Sequence, residues 1–446
     1  MKNLILCAIL FAGLHTTAHA QFLESLDRKV KSQVKTRVNN NVDQIIDSKL
    51  DQAEKAIKEK ATSKPAANAS VNSTDQTAQE TATQSETVKP SAKLVSNTKY
   101  DFIPGERILY TEDFTDAPIG EMPVNWNASG NGQVVTVDGF DGKWLRMFPG
   151  TKYLSGNAKE LGENYTVEFD VILDGTPPSG TRFLPEMAIG ILSSAGKETT
   201  DNSFVLPYYH PENLTELYFK PNVDAISRIR LESRVKHGAV TFKTENVEFA
   251  NFGKTISKSV HYAVQVQKQR LRFWVDGSKV FDIPRAINLT PALNQLYFNI
   301  KEYWPYNESN YGLYVSNIKI ATGLPDMRGK LMDAGKFSTN GILFAVNSDQ
   351  VQPQSMGTIQ AIAQILKENP DVRIKIIGHT DSDGESAANL SLSRMRAQAV
   401  KSLLEKEFDV QGSRLEADGK GESEPMTKDL SKESKALNRR VEFIKI

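Results

Sequence analysis

Cysteine is almost absent: the only one, Cys7, lies inside the apolar run of residues 4–14. That run is too short to cross a bilayer as a helix. With Lys2 ahead of it and the small residues Ala18 and Ala20 behind it, it reads as a secretory signal over residues 1–20, cleaved after Ala20. Cys7 follows Lys2 too closely to become a lipidated mature N-terminus. The mature chain is therefore expected to carry no thiol, which excludes disulfides and cysteine metal sites. No later run approaches a membrane-spanning helix, and long alternating segments of the kind a lipid-facing barrel needs are too few.

An excess of either charge is also missing. Lys and Arg number 54 against 54 Asp and Glu, and loss of Lys2 with the signal leaves 53 against 54. Nucleic acid and other polyanions are not favoured as partners. The constellations of bond cleavage are absent too: no Ser-x-x-Lys frame, no metal cluster, no recognisable pair of glycosidase carboxylates. The expectation is a protein that is not an enzyme and uses no cofactor and no metal.

What is present falls into segments. Residues 21–61 repeat Val30, Val34, Val38 and Val42 every four positions and continue through Ile45, Ile46, Leu50 and Ile57, the pattern of an amphipathic helix broken near Asn39–Asn40–Asn41. Its thin apolar face suits self-association, docking to an outer-membrane protein or to a membrane surface, or a marginal solvated helix, and the sequence leaves these open. Residues 62–99 lack apolar periodicity and read as a disordered tether whose ends lie about 30 Å apart on average.

Residues 100–322 alternate aromatic and β-branched with polar residues between Gly, Asn and Pro turns, with no helical period. This predicts an antiparallel two-sheet sandwich. The clearest unit is residues 271–283, where Asp276–Gly277 turns one alternating strand into the next. The strings LYTEDFTDAPIGEMPVNW, RLRFWVDGSKVFDI and YGLYVSNIKIA resemble the concanavalin and laminin-G type jelly roll. The resemblance implies a module that either binds glycan, on a concave face or through a calcium loop, or serves as structure only. Asp113, Asp116 and Glu121 are too spread for a calcium loop and are expected to be solvated or capping. Among Trp126, Trp144, Trp274, Tyr303 and Trp304, a core role is expected for each.

Residues 323–336 carry Gly and Pro breakers and read as a linker. From residue 337 to 446 the rhythm becomes strand, helix, strand, helix, strand, strand. Strands are expected at 341–346, 373–377, 414–417 and 441–446, and helices at 355–367 and 394–407. Ile359, Ile362, Ala363, Ile365 and Leu366 form the apolar face of the first helix, and Met395, Ala399, Val400, Leu403 and Leu404 that of the second. The fold class is multidomain: a β-sandwich followed by an α+β unit of β-α-β-α-β-β order, with the helices on one face of a mixed sheet.

The segment IIGHTDSDGESAANLSLSRMRAQAV places an acidic turn after an apolar strand and a basic residue at an expected helix start. Ser393 is placed to cap that helix, so that Arg396 would stand in its first turn beside unpaired N–H groups. Asp381 and Arg396, fifteen positions apart, then offer opposite charges to a small zwitterion. Spacing alone also allows Asp381 to satisfy turn N–H groups and Arg396 to lie along the apolar helix face.

The strings ILFAVNSDQVQPQS, LKENPDVRIKIIGHTDSDG, NLSLSRMRAQAVKSLL, RLEADGKGESEPM and NRRVEFIKI, in that order, resemble the OmpA C-terminal-like peptidoglycan-binding module, here in an OmpA family protein of Bacteroidota type. The resemblance implies a clamp on the diaminopimelate of the peptidoglycan stem peptide. Asp381 would take the ammonium group and Arg396 the carboxylate. Thr380, Asn389, Asn347, Leu392 and Arg440 are candidate supporting residues, with Arg440 orienting Asp381, touching the ligand or serving a purely structural pairing. His379 is expected on the sheet side without a catalytic role, and Asp383 in the loop as a capping or hydrated group.

The expected function is a non-enzymatic anchor in the periplasm, associated with the cell outer membrane and peptidoglycan. The alternatives are glycan recognition through the sandwich and, further off, hydrolysis of wall glycan.

Overall fold

The computed structural model describes residues 100–177, 181–223, 226–249 and 255–446. The signal, amphipathic and tether readings over residues 1–99 lie outside the described residues.

Two large antiparallel sheets come first. One runs Ser278–Ile283, Arg270–Val275, Ser259–Gln267, Asn164–Gly175, Tyr311–Thr322, Phe140–Met147, Gly132–Val137, with Arg107–Glu112 also paired to Tyr311–Thr322. The other runs Ala239–Lys243, Ser227–Val235, Asn213–Lys220, Met187–Leu192, Gln295–Ile300, Lys152–Leu154, Asn127–Ala128, with Val247–Phe249 also on Ser227–Val235. Alternation aims every second side chain of each inner strand at a shared core. Rings from both sheets meet there: Phe169 edge-on to Phe298 at 5.7 Å, and Phe219 to Tyr262 at 5.7 Å. The Asp276–Gly277 turn is as expected, with φ of 45° and 79°, the left-handed pair a two-residue hairpin requires.

The aromatic expectation divides. Trp126, Trp144 and Trp274 are buried, at 7%, 2% and 1% exposure, whereas Tyr303 and Trp304 stand at 39% and 88%. The reason for this correction is local. Residues 301–310 leave the sheet as a loop anchored by Tyr306, whose hydroxyl donates to the Phe183 carbonyl at 2.6 Å, and Tyr303 only stacks on that anchor at 5.8 Å.

On the outer face of the first sheet a charged cluster is largely buried. His261 Nδ1 lies 2.8 Å from Asp170 and its Nε2 3.6 Å from Glu168, which Lys319 approaches at 2.9 Å. Burial alone would depress the His261 pKa, but the two carboxylates overcome it and raise it to about 9. The folded state thus holds this proton more tightly than the unfolded chain. The stabilisation is complete below about pH 6.5 and fades as pH rises through 9, a span worth about 3 kcal/mol. Thermal denaturation from pH 6 to 9.5 is expected to show Tm falling across that window, and His261→Gln to flatten the fall.

The third sheet is mixed, in the order Lys336–Thr339, Val441–Lys445, Ile374–His379, Leu415–Gly421, with only the last pair parallel. Its first strand is therefore not residues 341–346, which run irregularly apart from a single bridge between Phe344 and Val351. Phe337 stacks on Phe443 at 5.0 Å, and that ring pair fixes the edge strand where the denser string ILFAV suggested otherwise. The proposed linker also holds a helix, Met327–Met332, capped by Asp326 accepting the Gly329 N–H at 2.9 Å. Its i and i+4 residues Met327 and Leu331 enter the C-terminal core.

Met356–Glu368 forms the first long helix with the expected face inward. The second, Ser386–Lys406, begins well before the expected residue 394 and buries Asn389, Ser393, Ala397, Val400 and Leu404 instead of Met395, which is 46% exposed. Glycines in the sheet cause this rotation. A Cβ on Gly378 would lie 2.2 Å from the Ser393 carbonyl oxygen, and one on Gly419 2.3 Å from the Arg394 nitrogen. The helix backbone lies directly on the sheet, and only a small residue fits at 393. A short helix, Lys432–Asn438, capped by Ser431, completes the domain. Apolar periodicity does not mark it, because Ala436 is its one apolar residue at a buried position.

The two parts touch through residues 100–105. Phe102 packs edge-on against Trp274 at 5.3 Å, while its carbonyl sits where a Cβ on Gly357 would come within 2.1 Å. Lys432 adds an ion pair to Glu112 at 2.6 Å and approaches Asp116 at 3.5 Å. Asp113 caps Thr115, as expected of it.

Candidate functional site

The central strand Ile374–His379 ends in the turn that carries Asp381, which is 9% exposed. One carboxylate oxygen accepts the Asp383 N–H at 3.3 Å, and the other is bonded by an Arg439 terminal nitrogen at 2.6 Å. Arg439 itself is 45% exposed. Lys435 holds Asp383 in turn at 2.8 Å. Thr380 ties the turn to the neighbouring strand by donating its N–H to the Gly421 carbonyl at 3.0 Å.

Arg396 stands in the middle of the Ser386–Lys406 helix, not at its start. Ser393 is accordingly not a cap: its buried hydroxyl donates to the Leu390 carbonyl at 2.9 Å and accepts the Gly421 N–H at 2.9 Å. The expected help from the helix's positive end falls away with it, since that help is confined to the first turn.

Other partners hold Arg396 instead. Its guanidinium lies 4.9 Å over the Phe344 ring, and its Nε donates to the Ser348 carbonyl at 2.9 Å. Burial lowers its pKa from the ordinary value, with Asp381 and Asp349 opposing and Arg439 reinforcing the shift. Asp381 therefore lies within electrostatic reach of Arg396 without being bonded to it. The terminal nitrogens of Arg396 bond no group among the described residues, so the planar fork keeps its capacity for a carboxylate.

The supporting residues sort differently from expectation. Asn389 braces the turn from below, donating to the Asp383 carbonyl at 3.0 Å and to Glu422 at 2.6 Å. Asn347, exposed at φ 51°, shapes the turn that presents the Ser348 carbonyl rather than lining the site itself. Leu392 is half-buried on the same helix. Of the three roles open to Arg440 the structural one fits its contacts: it is buried and donates to the Glu424 carbonyl at 3.0 Å, while its neighbour Arg439 reaches Asp381. Successive residues entering a strand point to opposite faces, so only one of the two arginines could do so. His379 is buried on the sheet side, 3.5 Å from Glu442, with its pKa depressed by burial and by Arg440.

Phe344, Ser348 and Arg439 are the contributors that sequence reasoning missed. The doubled arginine in NRRVE was the available signal for the last. Among the described residues no group of His, Cys, Asp and Glu is placed to hold a metal.

Every contact around Asp381 and Arg396 falls within a stretch, residues 343–439, that matches the OmpA family. It is an OmpA C-terminal domain. Over 101 residues it is 39% identical to outer membrane porin F of Pseudomonas aeruginosa, covering 23% of this chain and 29% of that protein. Over 102 residues it is 32% identical to the peptidoglycan-associated lipoprotein of Legionella pneumophila, covering 23% of this chain and 57% of that protein. The solved peptidoglycan-associated lipoprotein of Burkholderia pseudomallei is 33% identical and covers 26% of this chain and 98% of that one, with a TM-score of 0.23. The chain thus spans less than two thirds of either curated relative. The OmpA domain seats its mid-helix arginine on the Phe344 ring, within electrostatic reach of the acidic turn.

Proposed function

We propose that the chain is a non-enzymatic peptidoglycan-binding protein of the cell envelope that holds the diaminopimelate of the stem peptide between Asp381 and Arg396. The observation that carries this reading is the unspent guanidinium fork of Arg396, seated on Phe344 within electrostatic reach of Asp381. The terminal centre of diaminopimelate carries an ammonium and a carboxylate on one carbon. Asp381 suits the first and Arg396 the second.

Arg439 adds a condition. Its bond to Asp381 yields when the ligand ammonium arrives, and being partly exposed it turns to water at little cost. The names of the relatives, a porin of the outer membrane and a peptidoglycan-associated lipoprotein, agree with a place in the periplasm against outer membrane and wall. Export by residues 1–20, docking or self-association through residues 21–61, and a reach across part of the periplasm through residues 62–99 complete the proposal.

Intact sacculi incubated with the mature protein test it. Co-sedimentation with no release of muropeptides over hours is expected. Steady release would mark a hydrolase, and an unretained protein would remove the assignment.

A further inference from the structure

The second sheet of the sandwich carries a cavity on the face turned away from the shared core. In Gln295–Ile300, Leu296 and Phe298 point into the core and Tyr297 points the other way, joining Leu154, Leu192, Phe204 and Leu214 in a separate apolar cluster. Residues 202–211 fold over this cluster and leave an opening of about 290 Å³ beside it. That lies at the small end of ligand pockets, a size for one or two sugar rings rather than a chain.

The lining has two characters. Its floor is apolar, from Leu192, Phe204, Leu214 and Tyr297, and its wall is polar, from strands Asn213–Lys220 and Ser227–Val235. On that wall the register sets Tyr218 opposite Arg230 and Glu216 opposite Glu232. Arg230 lies over the Tyr218 ring, with its guanidinium carbon 4.1 Å from the centroid. Only its Nε approaches a carboxylate, Glu232 at 3.5 Å, and its two terminal nitrogens bond no group among the described residues. Glu232 is already taken by Arg234 at 2.7 Å. Lys152 and Lys301 add two more cations to the wall, and Lys301 is paired with Glu186 at 3.1 Å.

Glu216 is the one carboxyl lining the cavity, 4% exposed, and it accepts the Tyr218 hydroxyl at 2.5 Å. Burial raises its pKa above the ordinary carboxyl value. Lys152, Arg230, Arg234 and Lys301 line the cavity against that single carboxyl, so cations exceed anions, and one planar fork is stacked, oriented and unspent. An apolar floor beneath closely spaced donors and acceptors matches the two surfaces of a sugar ring, its C–H face and its hydroxyl edge. The fork matches a carboxylate.

We propose that this cavity binds a carboxylate-bearing sugar of the uronic-acid type, with Arg230 gripping the carboxylate and Glu216, Asn299 and Lys152 reading the hydroxyls. The site is independent of the diaminopimelate clamp and survives if that reading fails.

Calorimetric titration of the full mature protein with glucuronic acid, glucose and acetate tests it. Glucuronate is expected to bind at least tenfold more tightly than either glucose or acetate. Arg230→Lys and Arg230→Gln are each expected to weaken it tenfold or more at unchanged Tm, and Arg396→Ala to leave it unaltered. Should the Arg230 variants fold poorly, Lys152→Gln is expected to cost threefold or more. Equal affinity for acetate or for glucose, no binding of glucuronate, or wild-type binding by a folded Arg230→Gln or Lys152→Gln protein would each overturn the proposal.

Discussion

Arg396→Ala is expected to lower retention on sacculi containing diaminopimelate by about 10- to 150-fold, because a well-formed charge-assisted contact contributes roughly 1.5–3 kcal/mol. Arg396→Lys should recover only part of this. An ammonium keeps the charge but neither lies flat on Phe344 nor offers two parallel N–H groups. Asp381→Ala is expected to lose a similar factor by removing the partner of the ligand ammonium. The folding cost of that change is small, since Asp381 is bonded on the protein side to a half-exposed Arg439 and one turn N–H. Binding to sacculi as a function of protein concentration, with Tm of each variant alongside, separates loss of the clamp from loss of the fold. Wild-type retention by both alanine variants would remove these two residues from the site.

The second large effect is on the scaffold. Gly378→Ala would drive a methyl group to 2.2 Å from the Ser393 carbonyl oxygen. The obstacle is backbone, so no rotamer relieves it, and the Ser386–Lys406 helix must lift off the sheet. Overpacking of this kind costs about 3 kcal/mol, which corresponds to a fall in Tm of roughly 6–12 °C. Ser393→Ala should not rescue the variant, because it leaves the clashing carbonyl in place. By itself it should cost about 1 kcal/mol for the Gly421 bond. Because Arg396 rides on the same helix while Asp381 hangs from the strand, the surviving folded fraction of Gly378→Ala should also bind sacculi more weakly. Unaltered Tm in Gly378→Ala would mean that the helix does not lie on the sheet as described.

Much of this architecture was legible in the chain. Period-two alternation through residues such as Leu296 and Phe298 marks the sheets, and Asp276–Gly277 marks the hairpin. The i, i+3 and i+4 spacing of Ile359, Ile362, Ala363 and Leu366 marks the first long helix. The differences have two causes. Where a close backbone approach replaces a large apolar side chain, hydropathy carries no signal. The start of the second helix at Ser386 thus leaves no hydropathic trace, because its buried positions there are Asn389 and Ser393, and a serine before an apolar run reads as a cap. The edge strand was misplaced for the opposite reason: residues 342–346 are more apolar than residues 336–339, yet only the latter face Phe443.

The site was half legible. Asp381 and Arg396 stood out by charge and spacing. The Phe344 shelf and the Ser348 carbonyl belong to a loop far off in sequence, and nothing local indicates them. Choosing between Arg439 and Arg440 required the strand phase, which one sequence gives only to within a residue.

The proposed clamp reads an ammonium and a carboxylate carried on one carbon. Competition with soluble stem peptides for sacculus-bound protein isolates that centre. A peptide with diaminopimelate at its third position and one with lysine there differ at that centre by a single carboxylate. Release by the diaminopimelate peptide at a concentration at least tenfold lower than by the lysine peptide is the predicted result, with the difference lost in Arg396→Ala. Equal release by the two peptides would contradict it.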